Sequence, residues 1–363
     1  MTDLKVAVLG VGLMGAFHVD ALTKRIRGAE VTVINDFFAE KAEQVASQVG
    51  ARVVGDPIAA IQDPEIDAVL LATPGVAHAE QVNACLDRGI PVLCEKPLTT
   101  DVPSAYALVQ KEKSLGRQLI QVGFMRRFDA EYVALKNLIT SGGLGNPLMV
   151  HCIHRNAAVG DHFTGEFMIR DSVVHEVDAV RFLLDEDLTS VQVIKGAATS
   201  AAPKGINDPM LVVFETESGR IVTDEIYVRT QVAYEVRTEV VGEKGSAVIG
   251  QDQHMQVKST DGRWGGQLSH GFIERFGAAY ETELQCWVDA AKDGSIDGPG
   301  AWDGFAAVAV CEAGVQALHT GEKVPVRLDG ETSRLPPSAR QVVFDADEPK
   351  PGITAPDLIG DRP

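Results

Sequence analysis

Through the first third of the chain, short apolar runs alternate with longer stretches in which apolar positions recur every three or four residues. KVAVLG, VTVIND, IDAVLLAT, PVLCEKP and QLIQVGF are rich in β-branched and aliphatic residues and bounded by Gly, Pro or Asp, so they read as buried strands. The stretches between them, up to about Arg27, from about Ala39, across residues 78 to 88 and after Asp101, carry the helical period. Strand and helix in strict alternation predict parallel strands joined by right-handed crossovers, a doubly wound sheet ending near residue 124.

Beyond that point the texture changes. A helix over about 129–141 and a second helix containing RDSVVHEVD are followed by TSVQVIKGAAT, MLVVFETESGRIVTDEIYV and AYEVRTEVVGEKGSAVIG, whose ESG and GEKG turns predict hairpins. VHCIH reads as a further strand, with His151 and His154 on opposite faces. Helical patterns near 272–292 and 303–320 close this part. The reading is therefore α/β: a doubly wound parallel-sheet domain over 1–124, an α+β domain with a mainly antiparallel sheet over 125–330, and an extended Pro- and Asp-rich tail over 331–363.

At 363 residues the chain exceeds one ordinary core, and 45% apolar with 23% charged residues is a globular composition. A formal net charge of -18 opposes phosphate backbones and anionic lipid, so neither nucleic acid nor membrane is an expected partner. No apolar run reaches membrane-spanning length, and the N-terminus enters a strand without a signal-peptide profile, which predicts a cytoplasmic protein. Five scattered cysteines without a C-x-x-C pair read as buried thiols rather than disulfides or zinc ligands.

GVGLMG places Gly10, Gly12 and Gly15 directly after a strand and at the start of a helix, with Leu13 and Met14 in the first helical turn. Glycine permits the tight turn and the close approach of backbone to a pyrophosphate, and the helix N-terminus faces the negative charge. Asp36, at the end of the next strand, suits a ribose 2′-hydroxyl and repels a 2′-phosphate, which points to NAD rather than NADP. Glu95 and Lys96 follow a buried strand at the carboxyl edge of the sheet, where ligands sit in open α/β folds.

At 100° per residue, Asp171, His175 and Asp178 share a narrow arc of a helix otherwise lined with Val173, Val174, Val177, Val180, Leu183 and Leu184. Burying titratable groups demands compensation, from a hydrogen-bond network or a ligand cavity; beside a nicotinamide crevice the cavity is favoured. Hydride transfer from a carbinol needs a base titrating near neutrality, a role suited to His175. Asp171 would orient the imidazole, and Lys96 would steady the developing alkoxide. A metal held by His151, Cys152, His154, Asp171 and His175 is disfavoured by the strand geometry and by the nearby lysine, so none is expected.

GVGLMG, ATPGVAH, CEKPL, GFMRRFD and DSVVHEVDAV, in that order, resemble the glucose-fructose oxidoreductase and inositol dehydrogenase family over nearly the whole chain to about residue 328, with GFMRRFD and HRN closest to its inositol dehydrogenase branch. The resemblance implies a Rossmann dinucleotide-binding domain over 1–124 and a substrate domain with a large open sheet over 125–330, a Lys96, Asp171 and His175 catalytic set, cofactor contacts from Thr73, Pro74, His78, Met125 and Arg126, and polyol contacts from Met125, His154, Asn156, Asp178 and Tyr234. It implies oxidation of a cyclic polyol, myo-inositol first, with scyllo-inositol or a pyranose sugar as alternatives, by a homotetramer built through the open sheet. A non-catalytic NAD-binding regulator is the alternative of another class.

Overall fold

In the computed structural model, which describes residues 3–251, 257–259, 262–264, 268–294 and 296–328, the N-terminal strands form one six-stranded parallel sheet. The chain runs β1 (Leu4–Leu9), α1 (Leu13–Lys24), β2 (Ala29–Asn35), α2 (Ala39–Val49), β3 (Arg52–Val53), α3 (Pro57–Gln62), β4 (Ala68–Leu71), α4 (Gly75–Arg88), β5 (Val92–Glu95), α5 (Val102–Leu115) and β6 (Ile120–Gly123). Strand order is β3-β2-β1-β4-β5-β6, so the order reverses between β1 and β4, and the loops after these two strands open the crevice that binds ligands in such sheets. Strands β4, β5 and β6 are buried at every position, as strands covered on both faces must be.

The expected strands are present. Two elements absent from the sequence reading, β3 and α3, are short: a two-residue edge strand carries no periodicity, and α3 is one turn and a half set by Asp56, which accepts from Ala59 N at 2.8 Å, with Pro57 behind it.

A 3₁₀ turn (Met125–Phe128) leads into α6 (Ala130–Thr140), β7 (Pro147–Arg155) and the single turn α7 (Gly165–Phe167). A π-helical segment (Met168–Val173) then runs straight into α8 (Val174–Leu184). Strands β8 (Leu188–Lys195), β9 (Met210–Thr216), β10 (Ile221–Tyr227), β11 (Glu235–Gly242) and β12 (Gly245–Ile249) follow, with a separate small hairpin of β13 (Val257–Ser259) and β14 (Gly262–Trp264). After α9 (Phe272–Lys292) and α10 (Ala301–Thr320), β15 (Val324–Pro325) completes a seven-stranded sheet ordered β12-β11-β7-β10-β9-β8-β15. Only the β10 and β7 pair is parallel; the ESG and GEKG turns join antiparallel neighbours. The predicted tail over 331–363 lies outside the described residues.

The last two helices also cover the first sheet. Leu284, Trp287 and Val288 of α9 are fully buried in one cluster with Val6, Val8 and Leu70, and each such side chain contributes roughly 1.5–3 kcal/mol when removed from water. Gly304 of α10 lies against Leu98 and Val122, where a Cβ would approach to 2.7 Å. The two sheets are thus clamped together by helices that come late in the chain.

Candidate active site

The glycine loop is shaped by contact as much as by conformation. Gly10 has φ +83°, and a Cβ at Gly15 would fall 1.8 Å from the Gly10 carbonyl oxygen, a backbone clash that no rotamer relieves. A Cβ at Gly12 would meet nothing within 4 Å, so its missing side chain leaves open space beside the first turn of α1, and no side chain caps that helix. Its free N–H groups fit a pyrophosphate. Leu13 is exposed and Met14 half-buried in the same turn.

Asp36 accepts from the backbone N–H of Val11 at 2.7 Å and of Phe38 at 2.9 Å. Its carboxylate is therefore held beside the glycine loop, a position suited to accepting from a ribose 2′-hydroxyl. On the other side of the switch point, the Thr73 hydroxyl donates to Gln81 at 2.6 Å and Pro74 opens α4. His78, 1% exposed, has its ring nitrogens 2.7 Å from the Pro97 carbonyl and 2.8 Å from that of Thr73. It braces the loops after β4 and β5 against each other, a structural task rather than an exposed ligand contact. Burial pushes its pKa down.

At the end of β5, the buried Glu95 carboxylate lies 2.7 Å from His18 Nε2. Lys96 Nζ reaches across to the second domain and donates to Asp171 Oδ1 at 2.7 Å and to the Asp171 carbonyl at 3.2 Å. This corrects one expectation: Asp171 holds the lysine, and no described hydrogen bond joins it to the His175 ring. The reason is the π-helical segment, whose wider turn breaks the assumed 100° spacing and turns Asp171 toward the first domain. His175, 8% exposed, has a buried Nδ1 with no described partner. Burial first, then the charges of Lys96 and Arg126 and the His154 ring, hold it well below the usual imidazole range. The ring is neutral at physiological pH, as a proton acceptor must be, but its titration lies below the near-neutral region expected from sequence.

The remaining residues divide. His154 on β7 faces His175 with ring centroids 6.5 Å apart, and Tyr234 packs edge-on against His154 at 5.7 Å. Burial pushes the Tyr234 phenol up to about 12, so it stays a hydrogen-bonding hydroxyl. Asn156 carries a buried Oδ1 without a described partner, its backbone N–H donating to Tyr227 at 3.0 Å. Met125 and Arg126 are buried, and Arg126 is ion-paired to Glu176. Asp178 is turned away from this group: Arg127 donates to its carboxylate from Nε and Nη2 at 2.6 to 3.1 Å. Arg127 also lies 2.8 Å from Asp303. The polar arc expected to hold Asp171, His175 and Asp178 together is thus split between two environments.

Sequence reasoning passed over Glu176, which lies inside the quoted helix and pairs with both Arg126 and His154. The signal was present: every residue of α8 except Phe182 is buried, so each charge in VHEVDAVR needs a partner. Glu283, fully buried on α9 with both oxygens unpartnered among the described residues, and Asp224 on β10 are held well above the carboxylate range, first by burial and then by neighbouring carboxylates. Among the described residues, no group of three or more His, Cys, Asp or Glu is arranged to hold a metal ion.

The chain matches known proteins over most of its length. The model of an oxidoreductase family's NAD-binding Rossmann fold matches residues 4–124, and that of its C-terminal alpha/beta domain matches 136–326. The chain is 59% identical over 330 residues to inositol 2-dehydrogenase from Rhodococcus erythropolis, covering 89% of this chain and 95% of that one. Identity to the inositol 2-dehydrogenase of an Arthrobacter strain is 50%, covering 91% of this chain and 98% of the relative. The crystal structure of myo-inositol dehydrogenase from Lactobacillus casei with NAD(H) and myo-inositol superposes with a TM-score of 0.87 at 34% identity, covering 92% and 99% of the two chains.

Proposed function

Because this chain belongs to the oxidoreductase family of glucose-fructose oxidoreductase and inositol dehydrogenase, we propose that it oxidises myo-inositol to 2-keto-myo-inositol (scyllo-inosose) with NAD. The observation that carries the chemistry is the Lys96 and Asp171 pair spanning the two domains beside the neutral ring of His175. Nicotinamide, when bound, supplies the hydride acceptor. His175 takes the hydroxyl proton of the reacting carbon. Lys96, held in place by Asp171, donates a hydrogen bond to the oxygen as negative charge develops there. His154, Asn156 and Tyr234 contact the other hydroxyls, Met125 lies at the nicotinamide, and the uncapped N-terminus of α1 takes the pyrophosphate.

Steady-state NADH formation over a panel of myo-inositol, scyllo-inositol and aldoses tests this. The highest kcat/KM is expected with myo-inositol; preference for an aldose would move the protein to a sugar substrate. NAD binding without turnover of any of these compounds would favour the regulator.

Asp36→Ala is expected to relax the preference for NAD over NADP by about tenfold or more, since a favourable contact to the 2′-hydroxyl and a repulsion of the 2′-phosphate disappear together. The same change removes the acceptor for Val11 and Phe38 N–H, so KM for NAD should rise as well. The ratio of kcat/KM values for the two cofactors reads the first effect; an unchanged ratio would assign ribose recognition to another group.

The outward face of the seven-stranded sheet carries Ile194, Leu211 and Ile221, 46%, 38% and 41% exposed, and this supports assembly of four chains through that face. Sedimentation at four chain masses is the expected result, and a monomer would remove the proposal. No helix among the described residues is long and apolar enough to cross a membrane. Together with the buried free thiols of Cys85, Cys94, Cys152 and Cys311, this supports placement in the reducing cytoplasm.

A further inference from the structure

His154 projects from β7 into the interior, 3% exposed, and its Nδ1 has two neighbours that require opposite tautomers. Both carboxylate oxygens of Glu176 lie 3.1 Å away and want an N–H; a terminal nitrogen of Arg126 lies 3.3 Å away and wants a lone pair. Two observations decide between them. The carboxylate contacts are shorter, and a bond from N–H to an ionised oxygen is charge-assisted. Arg126 has other acceptors, since it bonds Glu176 and the Tyr234 hydroxyl.

We propose that Glu176 fixes His154 as the Nδ1–H tautomer, so that its Nε2 lone pair accepts a hydrogen bond from an inositol hydroxyl other than the one that reacts. This deepens the reading of the site as a polyol pocket and rests on it. Glu176 is a positioning residue: it acts on the substrate through His154. The device separates two imidazoles whose centroids are 6.5 Å apart. His154 is backed by a carboxylate that dictates which nitrogen carries hydrogen, whereas His175 has no described partner on Nδ1 and is free to gain a proton during the reaction. The pocket then selects for a hydroxyl that donates, a demand that a fluorine or an ether oxygen at the same ring position does not meet.

Neutron diffraction from the deuterated full-length protein with NAD bound reads the tautomer directly. Deuterium on His154 Nδ1 and none on Nε2 is expected; deuterium on Nε2 overturns the proposal. The second arm uses monofluoro-deoxy-inositols with steady-state kinetics. Fluorine at one non-reacting position should raise KM about tenfold or more, the equivalent of one lost hydrogen bond, with kcat within a few-fold. In Glu176→Gln, whose amide can donate to Nδ1 and reverse the tautomer, that selectivity should disappear. Equal tolerance of fluorine at every non-reacting position, or selectivity unchanged in Glu176→Gln, overturns the proposal even if that variant is poorly folded, because the wild-type panel and the diffraction stand alone. Nδ1–H on His154 in a protein that turns over no inositol would support the tautomer and remove the polyol reading instead.

Discussion

His175→Ala is expected to lower kcat by about 10²–10⁴-fold, the range that a positioned general base contributes. Burial and the charges of Lys96 and Arg126 keep the ring unprotonated. NAD affinity should hardly change, because the groups proposed to take the dinucleotide, the glycine loop and Asp36, follow β1 and β2 in the first domain, whereas α8 belongs to the second. Steady-state kinetics paired with a fluorescence titration of NADH separate the two effects. A loss of binding as large as the loss of turnover would make His175 a packing residue and remove it from the chemistry.

Lys96→Met should have an effect of similar size, for two reasons that a pH profile distinguishes. Removing a donor aimed at a developing oxyanion costs about 10²–10³-fold in kcat. The second reason is electrostatic. The Lys96 charge is one of the influences that hold His175 down, so removing it favours the imidazolium and raises the His175 pKa. Asp171, deprived of its cation, acts in the same direction. The base is active when unprotonated, so activity is present above the folded-state pKa of His175 and lost as pH falls through it. In the variant, the acid limb of kcat/KM should therefore move to higher pH. Burial is the largest cause of the depression and remains, so only part of the displacement is reversed. An unshifted acid limb in a folded, weakly active Lys96→Met protein would show that the lysine does not act on the base.

The parallel sheet was legible because each of its central strands is a short apolar run ended by Gly, Pro or Asp, and its crossovers carry their own period. GVGLMG and Asp36 were legible for a related reason: their meaning lies in local backbone geometry, and the bond from Val11 N to Asp36 is what that motif requires. What sequence withheld was long-range. Nothing local says that Arg127 will bridge Asp178 and Asp303, that His18 will meet Glu95 across the first domain, or that α9 will return to the first sheet. The register of the catalytic helix was withheld because a constant 100° step was assumed where the helix widens. Glu176 was missed for a simpler reason: it lies off the arc shared by Asp171, His175 and Asp178, although the helix has no solvated face to receive it.

The widened turn at Met168–Val173 also constrains how this protein can change. A helix of fixed pitch tolerates exchange of side chains but not of count, and here one residue more or fewer would swing Asp171 off Lys96 while leaving His175, farther along, in place. Shortening this segment would therefore break the Lys96–Asp171 bridge while α9 and α10 still hold the two sheets together, and grafting the helix into a related scaffold succeeds only if its length is carried over intact.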